Sequence, residues 1–545
     1  MRTALATMTA VIGLAGCDEG ARPAGGGTVV VGGYVDIRTM NPFVSLGDVN
    51  QQLQRFLLFT PLLELDEELR YRPRLAERWD TVRISADSID LTMHLRRDVA
   101  WHDGTPTTAA DVAFTFARAM DPLTTWADVA AFTGYRPTAE VVDSPTVRFR
   151  LAPRPEFLEG FVLLPPLPRH LLGDVPPAEL RTHPFGTSPT GNGPFRFVRR
   201  VDSDWTFEAN PGFPEALGGR PRVDRFMYRH IPDQTAVNTE LLTGRIDVST
   251  AVLPSQTREL NARPGIRVVE YPLAKWTFIT LNTRLPFFDT SEERRALAMA
   301  IDRATLVQVV QAGHATPGRA TVTPLHPAFA GDDPATVIPY DTAMARRTLA
   351  AAGWIDRDAD GILEDVAGNE FRFELKAWQG TAVYREIAEI VQAQLREVGI
   401  AAEPRIVELN TFITQLQGTP DEQGVRRRDF DAAVSNWIDN LRKDDSPQLH
   451  SRFLETPHHA TGFTSPRLDA LLDSLAVTTD AEVSSRLWRE YQRLLVAESP
   501  YIVLFYPMGL AAVRERLRGV VMDARGLLAT VTEWWIEEEN TGAAR

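Results

Sequence analysis

Between Phe371 and Trp437 the chain changes its apolar period repeatedly, and the order of those changes restricts the fold more than any other feature. FRFELKAW alternates apolar and polar positions as a half-buried strand does, and YREIAEIVQAQLREV then repeats its apolar residues at helical spacing. IAAEPRIVEL returns to strand character, LNTFITQL makes a short helix and FDAAVSNW closes as a strand. Strand, helix, strand, helix, strand in this order demands a parallel sheet with helices on its faces, hence an α/β architecture. Such sheets place ligands beyond the carboxyl ends of their strands, and Trp378 and Trp437 fall at two of those ends.

A chain of 545 residues exceeds what one hydrophobic core supports, so two or three domains are expected. No run of about 18 apolar residues occurs to span a bilayer. The formal charge of −14 argues against nucleic acid as a partner, because that binding rests on a basic surface that displaces counterions from phosphates. Only Lys275, Lys376 and Lys443 of the 58 basic residues are lysine, a bias that a GC-rich genome produces by itself.

The amino end adds a different constraint. Arg2 supplies a short positive start, Ala4 to Ile12 an apolar core, and Leu14-Ala15-Gly16-Cys17 a run of small residues ending at the sole cysteine. This reads as an export signal, and Leu-Ala-Gly-Cys resembles the bacterial lipobox, which implies that Cys17 is lipidated and begins the mature chain. Asp18 resembles the signal that retains such lipoproteins in the inner membrane. With no second cysteine the exported body has no disulfide and depends on its core. ARPAGGGT follows as a flexible linker. The expected location is the periplasm, lipid-anchored to the inner membrane, or the cell surface if the source is Gram-positive.

Downstream, VVVGGYV reads as a strand with Tyr34 just after it, and SIDLTMHLRR is a half-buried strand leading into DVAWHDGTPTTAADVAFTFARAMDP. There Thr108 serves as N-cap with Asp111 three residues on, and Val112, Phe116 and Ala119 share one helix face. His102-Asp103 is read as a turn, since adjacent residues of a tight turn seldom address one substrate atom. Further along come SPTGNGPFRFVRR, WTFEANPGF, GGRPRVDRFMYRHIPD and LLTGRIDVS, then YPLAKWTFITLNTRLPFF with its helix RRALAMAIDR, then YDTAMARRTLAAAGW and DRDADGILED. In order and spacing these blocks resemble family 5 of the bacterial extracellular solute-binding proteins, with Phe213-Pro214 departing from the usual Tyr-Trp.

The resemblance implies a two-lobed periplasmic-binding-protein fold (type II, a hinged trap) with an extra inserted α+β domain. On that plan residues 1–17 are the lipoprotein signal peptide and 18–27 the linker. Lobe I takes 28–48, 188–270 and 506–545, the inserted domain 49–187, and lobe II 271–505. The implied function is the extracytoplasmic capture of a peptide-like solute and its delivery to the permease subunits of an ABC transporter, by a monomer that needs no cofactor. Peptide-binding members hold the ligand's amino terminus with an aspartate three residues after the tryptophan that matches Trp437. Here that place is Asn440, with Asp439 one residue early and Asp444 after it, so either a shifted carboxylate serves or the ligand has no free amine. Tyr34, Trp276, Asn282 and Trp378 complete the candidate cleft. Its aromatic lining would stack on a peptide side chain or a sugar ring equally, which leaves a carbohydrate or a metal chelate as the alternative ligand.

Gly191 and Gly193 precede a strand with no Lys-Ser/Thr and no helix start, so no phosphate loop is expected. The ten histidines form no H-E-x-x-H or H-x-x-E-H spacing and there is no G-x-S-x-G elbow, which leaves for an enzyme only a triad dispersed in sequence. Asp356, Asp358 and Asp360 before Gly361 imitate an EF-hand start, but position twelve is Ala367, so the turn at 356–365 is read as solvated. His450 and His458-His459 are read as loop residues and not as a metal site.

Overall fold

Thr28–Gly33 (β1), three consecutive valines flanked by Thr and Gly, is the β-branched strand around which one half of the molecule is laid. The computed structural model describes residues 26–537 apart from 45–46, 127–128, 133–134, 136, 381 and 440–442. The signal segment with Cys17, and Asn440, lie outside the described residues. Among the described residues a twelve-stranded sheet organises the chain. Its strands after β1 are Phe195–Val201 (β2), Asp204–Ala209 (β3), Arg225–His230 (β4), Val248–Ser249 (β5) and Ile266–Pro272 (β6). Then come Lys275–Leu281 (β7), Ala315–Pro317 (β8), Arg372–Trp378 (β9), Ala401–Val407 (β10), Ala432–Ile438 (β11) and Tyr501–Arg514 (β12). Their spatial order is β10-β9-β11-β7-β12-β5-β1-β4-β3-β2, with β6 and β8 also on β12.

β12 belongs to both halves. Tyr501 to Phe505 pair with β7, whereas Met508 to Arg514 pair with β6. The chain crosses between the halves at two neighbouring places, Pro272 to Lys275 and Tyr506 to Met508. In the second half β9 pairs in parallel with β10 and with β11, as the alternation from Phe371 to Trp437 predicts. The helix Ala382–Glu397 (α1) follows β9, and Ile387, Val391 and Leu395 on its apolar face are buried against the sheet.

Residues 76–151 form a four-stranded antiparallel sheet, ordered Ala76–Ser85, Ser88–Leu95, Thr146–Leu151, Thr138–Asp143. The helix Ala109–Met120 begins at the expected capping box, the Thr108 backbone N–H donating to Asp111 Oδ2 at 2.8 Å. Its Phe116 packs on Phe149 and Phe161 with ring centroids 4.8 and 5.2 Å away. One apolar cluster continues from Val29 in β1 through these rings to Trp534, so the segment placed in an inserted domain shares its core with the sheet around β1. No described helix is long and apolar enough to cross a membrane.

Gly191 and Gly193 allow a close backbone approach. A Cβ on Gly191 would lie 1.9 Å from the Leu58 carbonyl, and the Asn192 and Gly193 N–H groups both donate to that oxygen. His102 clamps the same loop, Nδ1 accepting from Gly191 N at 3.2 Å and Nε2 donating to the Gly193 carbonyl at 3.0 Å. Asp103 turns away to His170 at 2.7 Å, so the adjacent pair is divided between two structural tasks. Burial pushes the His102 imidazole down to about 4. The unfolded chain therefore binds more protons than the native one below pH 6.5, and stability is expected to fall on acidification from about 6.5 to about 4. Denaturant midpoints measured across that window should show a shallower acid slope in His102→Gln, whose amide keeps one donor and one acceptor.

Candidate functional site

β9 and β11 run side by side in the same direction, so their carboxyl ends open on one edge, and β1 delivers Tyr34 just past its own carboxyl end. Trp378 is the last residue of β9. Its ring lies over Gly380, where a Cβ would come within 1.8 Å of it, which explains the glycine two residues on. Tyr384, in the first turn of α1, meets Trp378 with centroids 4.9 Å apart, and its hydroxyl accepts from the Asn436 side-chain amide. Tyr34 is 42% exposed. Burial raises the phenols of Tyr384 and Tyr228, and Tyr34 adds to both rises. Trp437 is 37% exposed and meets the edge of His458, with centroids 6.1 Å apart. Trp378, Tyr384 and Asn436 thus meet at one strand end, the last two unforeseen, while Tyr34 and Trp437 stand exposed at the ends of their own strands. The one sequence signal for Tyr384 was its place four residues after the strand-ending Trp-Gln-Gly.

Two candidates sit elsewhere. Trp276 is wholly buried, stacked on Phe278 at 4.0 Å and edge-on to Tyr501 at 5.7 Å, and is a packing residue. Asn282 is 5% exposed and spends its amide on the Phe430 carbonyl at 2.9 Å and its backbone N–H on Asp431. β7 is antiparallel to β11, pairing Trp276 with Trp437 and Leu281 with Ala432. Asn282 therefore ends the strand at the edge away from the aromatic cleft, roughly 20 Å from Trp437 at about 3.3 Å per residue.

The acidic candidates separate as well. Asp439 follows β11, and its backbone N–H donates to the Ala274 carbonyl at 2.7 Å, where the chain crosses between halves. Its side chain is 6% exposed, and Oδ1 accepts from Lys443 Nζ at 2.7 Å. Lys443, 1% exposed, also reaches Asp445 Oδ1 at 2.8 Å and stands 5.3 Å from the centre of the Trp276 ring. Asp445 in turn accepts from Thr321 Oγ1 at 2.6 Å and from the Tyr491 hydroxyl. Burial pushes the Asp439 carboxyl up, against the pull of the Lys443 ammonium. Asp444 points outward and accepts from the Ser446 N–H at 3.0 Å, one of the contacts that hold it on the surface. Lys443 and Asp445 were not among the sequence candidates. The scarcity of lysine was the available signal: Lys376 and Lys443 are both buried and Lys275 is half-buried.

Asp439 faces a cavity of about 120 Å³ with Ala274, Arg55, Glu159, His326 and Arg525. A wider hollow of about 560 Å³ adjoins it, lined by Glu68, Arg154, His326, Lys443, Asp444 and Trp488 among others. The carboxylates of Asp356, Asp358, Asp360 and Glu364 come within 4.8 Å of one another, and each accepts a backbone N–H of the same turn. His450 lies between Asp469 and Asp473 at 3.3 and 3.2 Å, while His459 is fully buried and pushed down to about 4. The histidines thus take separate surroundings.

Comparison with known proteins gives this geometry its context. The Bacillus subtilis oligopeptide-binding protein AppA is 27% identical over 529 residues, covering 94% of this chain and 92% of that one. A probable di/tripeptide-binding protein 5 of Pseudomonas aeruginosa is 25% identical over 484 residues, covering 83% and 85%. The AppA structure in complex with a nonapeptide superimposes with a TM-score of 0.78 at 26% identity, over 94% of this chain and 100% of that one. NikA from Brucella suis in complex with Fe(III)-EDTA gives 0.80 at 20% identity over 93% and 99%, a likeness of fold. The description "Bacterial extracellular solute-binding proteins, family 5 Middle" matches residues 70–457, and with this two-lobed α/β fold the chain belongs to family 5 of the bacterial extracellular solute-binding proteins.

Proposed function

We propose that the protein captures a peptide or peptide-like solute between its two lobes and delivers it to the permease of an ABC importer. The observation that carries this reading is the set of aromatic rings at strand ends, Trp378 against Tyr384 with Tyr34 and Trp437 exposed, on a chain 27% identical over 94% of its length to an oligopeptide-binding relative. Aromatic faces receive side chains with little sequence preference, while a peptide backbone pairs with exposed strand ends. The lobes are taken as 28–48 with 188–270 and 506–545, and 271–505, with 49–187 added to the first. The crossings at Pro272 to Lys275 and Tyr506 to Met508 then act as the hinge. Closure follows only if the solute binds the closed arrangement better than the open one.

Trp437→Ala is expected to weaken solute binding about tenfold, close to 1.4 kcal/mol, and to leave the unfolding midpoint nearly unchanged because the ring is more than a third exposed. Native mass spectrometry of the gently purified protein, followed by denaturation, tests the ligand class. Release of a ladder of short peptides supports the proposal, and release of a single carbohydrate or chelate replaces the peptide with that ligand. Lipidation at Cys17 is proposed as the anchor to the outer face of the inner membrane, and a Cys17→Ser protein that still sediments with membranes would refute it. Size-exclusion chromatography with light scattering tests the monomer.

A further inference from the structure

The hollow of about 560 Å³ beside the Asp439 cavity is a seam between two separately packed bodies. One wall comes from the turns at 68–70 and 154–157, and its Phe157 packs on the apolar cluster that holds β1. The other comes from Leu325 and from the helices Pro466–Leu475 and Ala481–Glu498. Leu472, Leu475 and Trp488 on that wall belong to a different cluster, the one around Trp276 and Tyr501. The hollow shares Leu69, Leu325 and His326 with the small cavity where the chain crosses between halves. The segment that leaves β11 follows the same course, from exposed Trp437 through Asp439 at the small cavity to Lys443 and Asp444 at the hollow.

The charges on these walls are matched locally. Arg70 holds Glu68 at 2.8 Å, Lys443 holds Asp445 at 2.8 Å, and Asp444 accepts from the Ser446 N–H at 3.0 Å. The Tyr71 hydroxyl donates to Glu156 at 2.6 Å and ties the two turns of the first wall together, while Arg154 donates to the Pro153 carbonyl at 3.3 Å. The rest of the lining is mainly carbon, with Leu69 and Phe157 on one wall and Leu325, Leu472, Leu475 and Trp488 on the other. Apolar surface of this kind favours whatever removes it from water, and the volume falls in the range of about 300–1,000 Å³ usual for small-ligand sites. The first wall is also strained. Leu69 is held at φ 60° and Glu156 at φ 51°, left-handed conformations that side chains seldom adopt and that collect at ligand clamps.

We propose that the hollow receives a large apolar side chain of the bound solute, aromatic or branched aliphatic, and that residues 49–187 thereby select among solutes. The proposal rests on the peptide reading above and deepens it, since an extended peptide lying along the segment after Trp437 brings one of its side chains into the seam.

The test uses the full chain, stripped of endogenous ligand by reversible denaturation and titrated calorimetrically with nine-residue peptides of alternating alanine and serine. Phenylalanine, lysine or serine is placed at each position in turn. At one position or more, phenylalanine is expected to bind at least about tenfold tighter than serine or lysine, the gain that burying one such ring supplies. Two variants read whether that gain arises in the hollow. Ser485→Trp fills it from an exposed helix position, and Leu69→Gly removes an apolar side chain where glycine takes the backbone angle freely. Each, once circular dichroism shows it folded, should cut the phenylalanine advantage to about threefold or less. An advantage that survives both variants, or equal binding of all three residues at every position, overturns the subsite and leaves the peptide reading standing. A preference for lysine that both variants abolish overturns its apolar character. Failure of every peptide to bind overturns the subsite, and release of a non-peptide species on denaturation overturns the peptide reading with it.

Discussion

Replacing Lys443 with methionine is expected to cost about 3–5 kcal/mol of folding free energy at neutral pH, the range seen when one partner of a buried ion pair is removed. The loss comes less from the missing bond than from what is left behind. Asp439 and Asp445 would remain as two carboxylates, 6% and 2% exposed, with no cation between them. The Asp439 carboxyl, already pushed up by burial, would lose the opposing pull of the ammonium and rise further above its unfolded value. Stability gained from protonation is present at low pH and lost as pH climbs through the folded-state values, so the defect should be larger at pH 8 than at pH 5. Guanidinium unfolding at both pH values measures this. Lys443→Met/Asp439→Asn should recover part of the loss at pH 8, because only one buried carboxylate remains. A defect under about 1 kcal/mol that does not vary with pH would mean that the ammonium is solvated in the native state.

Asp247→Ala is expected to be nearly as damaging, at about 3 kcal/mol. The Asp247 side chain is 1% exposed and joins three parts of the first lobe. Oδ2 accepts from the Val30 N–H of β1 at 3.0 Å, Oδ1 accepts from Arg516 Nε at 2.7 Å, and its own N–H donates to the Val30 carbonyl at 2.7 Å. Truncation leaves a buried N–H without an acceptor and a guanidinium, 35% exposed, without its carboxylate; water softens only the second. Asp247→Asn keeps an acceptor and should lose less than half as much. Hydrogen exchange at Val30 is the local readout, and unchanged protection there in Asp247→Ala would contradict the assignment.

How far such features can be read from sequence depends on where their partners lie. The parallel unit from Phe371 to Trp437 was legible because each element announces itself by its own period, and Trp378 and Trp437 followed from the strand directions. Gly-Arg-Ile-Asp was visible as a motif, but Asp247 became a clamp only when Val30 was placed beside it. Asn282 was misassigned for one reason, direction. It ends a strand as Trp378 does, yet β7 runs against β11, so its carboxyl end lies on the other edge. Lys443 was missed because its ion-pair partners are near in sequence but their burial is decided by distant residues. Its partner Asp445 is held by Thr321, 124 residues away in the chain, and by Tyr491, 46 residues away. The charged stretch Asp439 to Asp445 has no apolar periodicity from which burial can be inferred.

The strand shared by both halves also decides when the molecule can be complete. β1 is the first strand of the sheet, but its neighbour β4 lies about 200 residues later and β5 joins it to β12, which begins at Tyr501. A chain that emerges from its amino end therefore waits for nearly its whole length before β5, β6 and β7 gain the strand against which they pair. Contacts this distant in sequence make late closure the slow step. Until then the apolar faces of both half-sheets stay open to wrong pairing. Truncation ahead of residue 501 should leave neither lobe able to fold by itself, although most of the first lobe's residues would already be present.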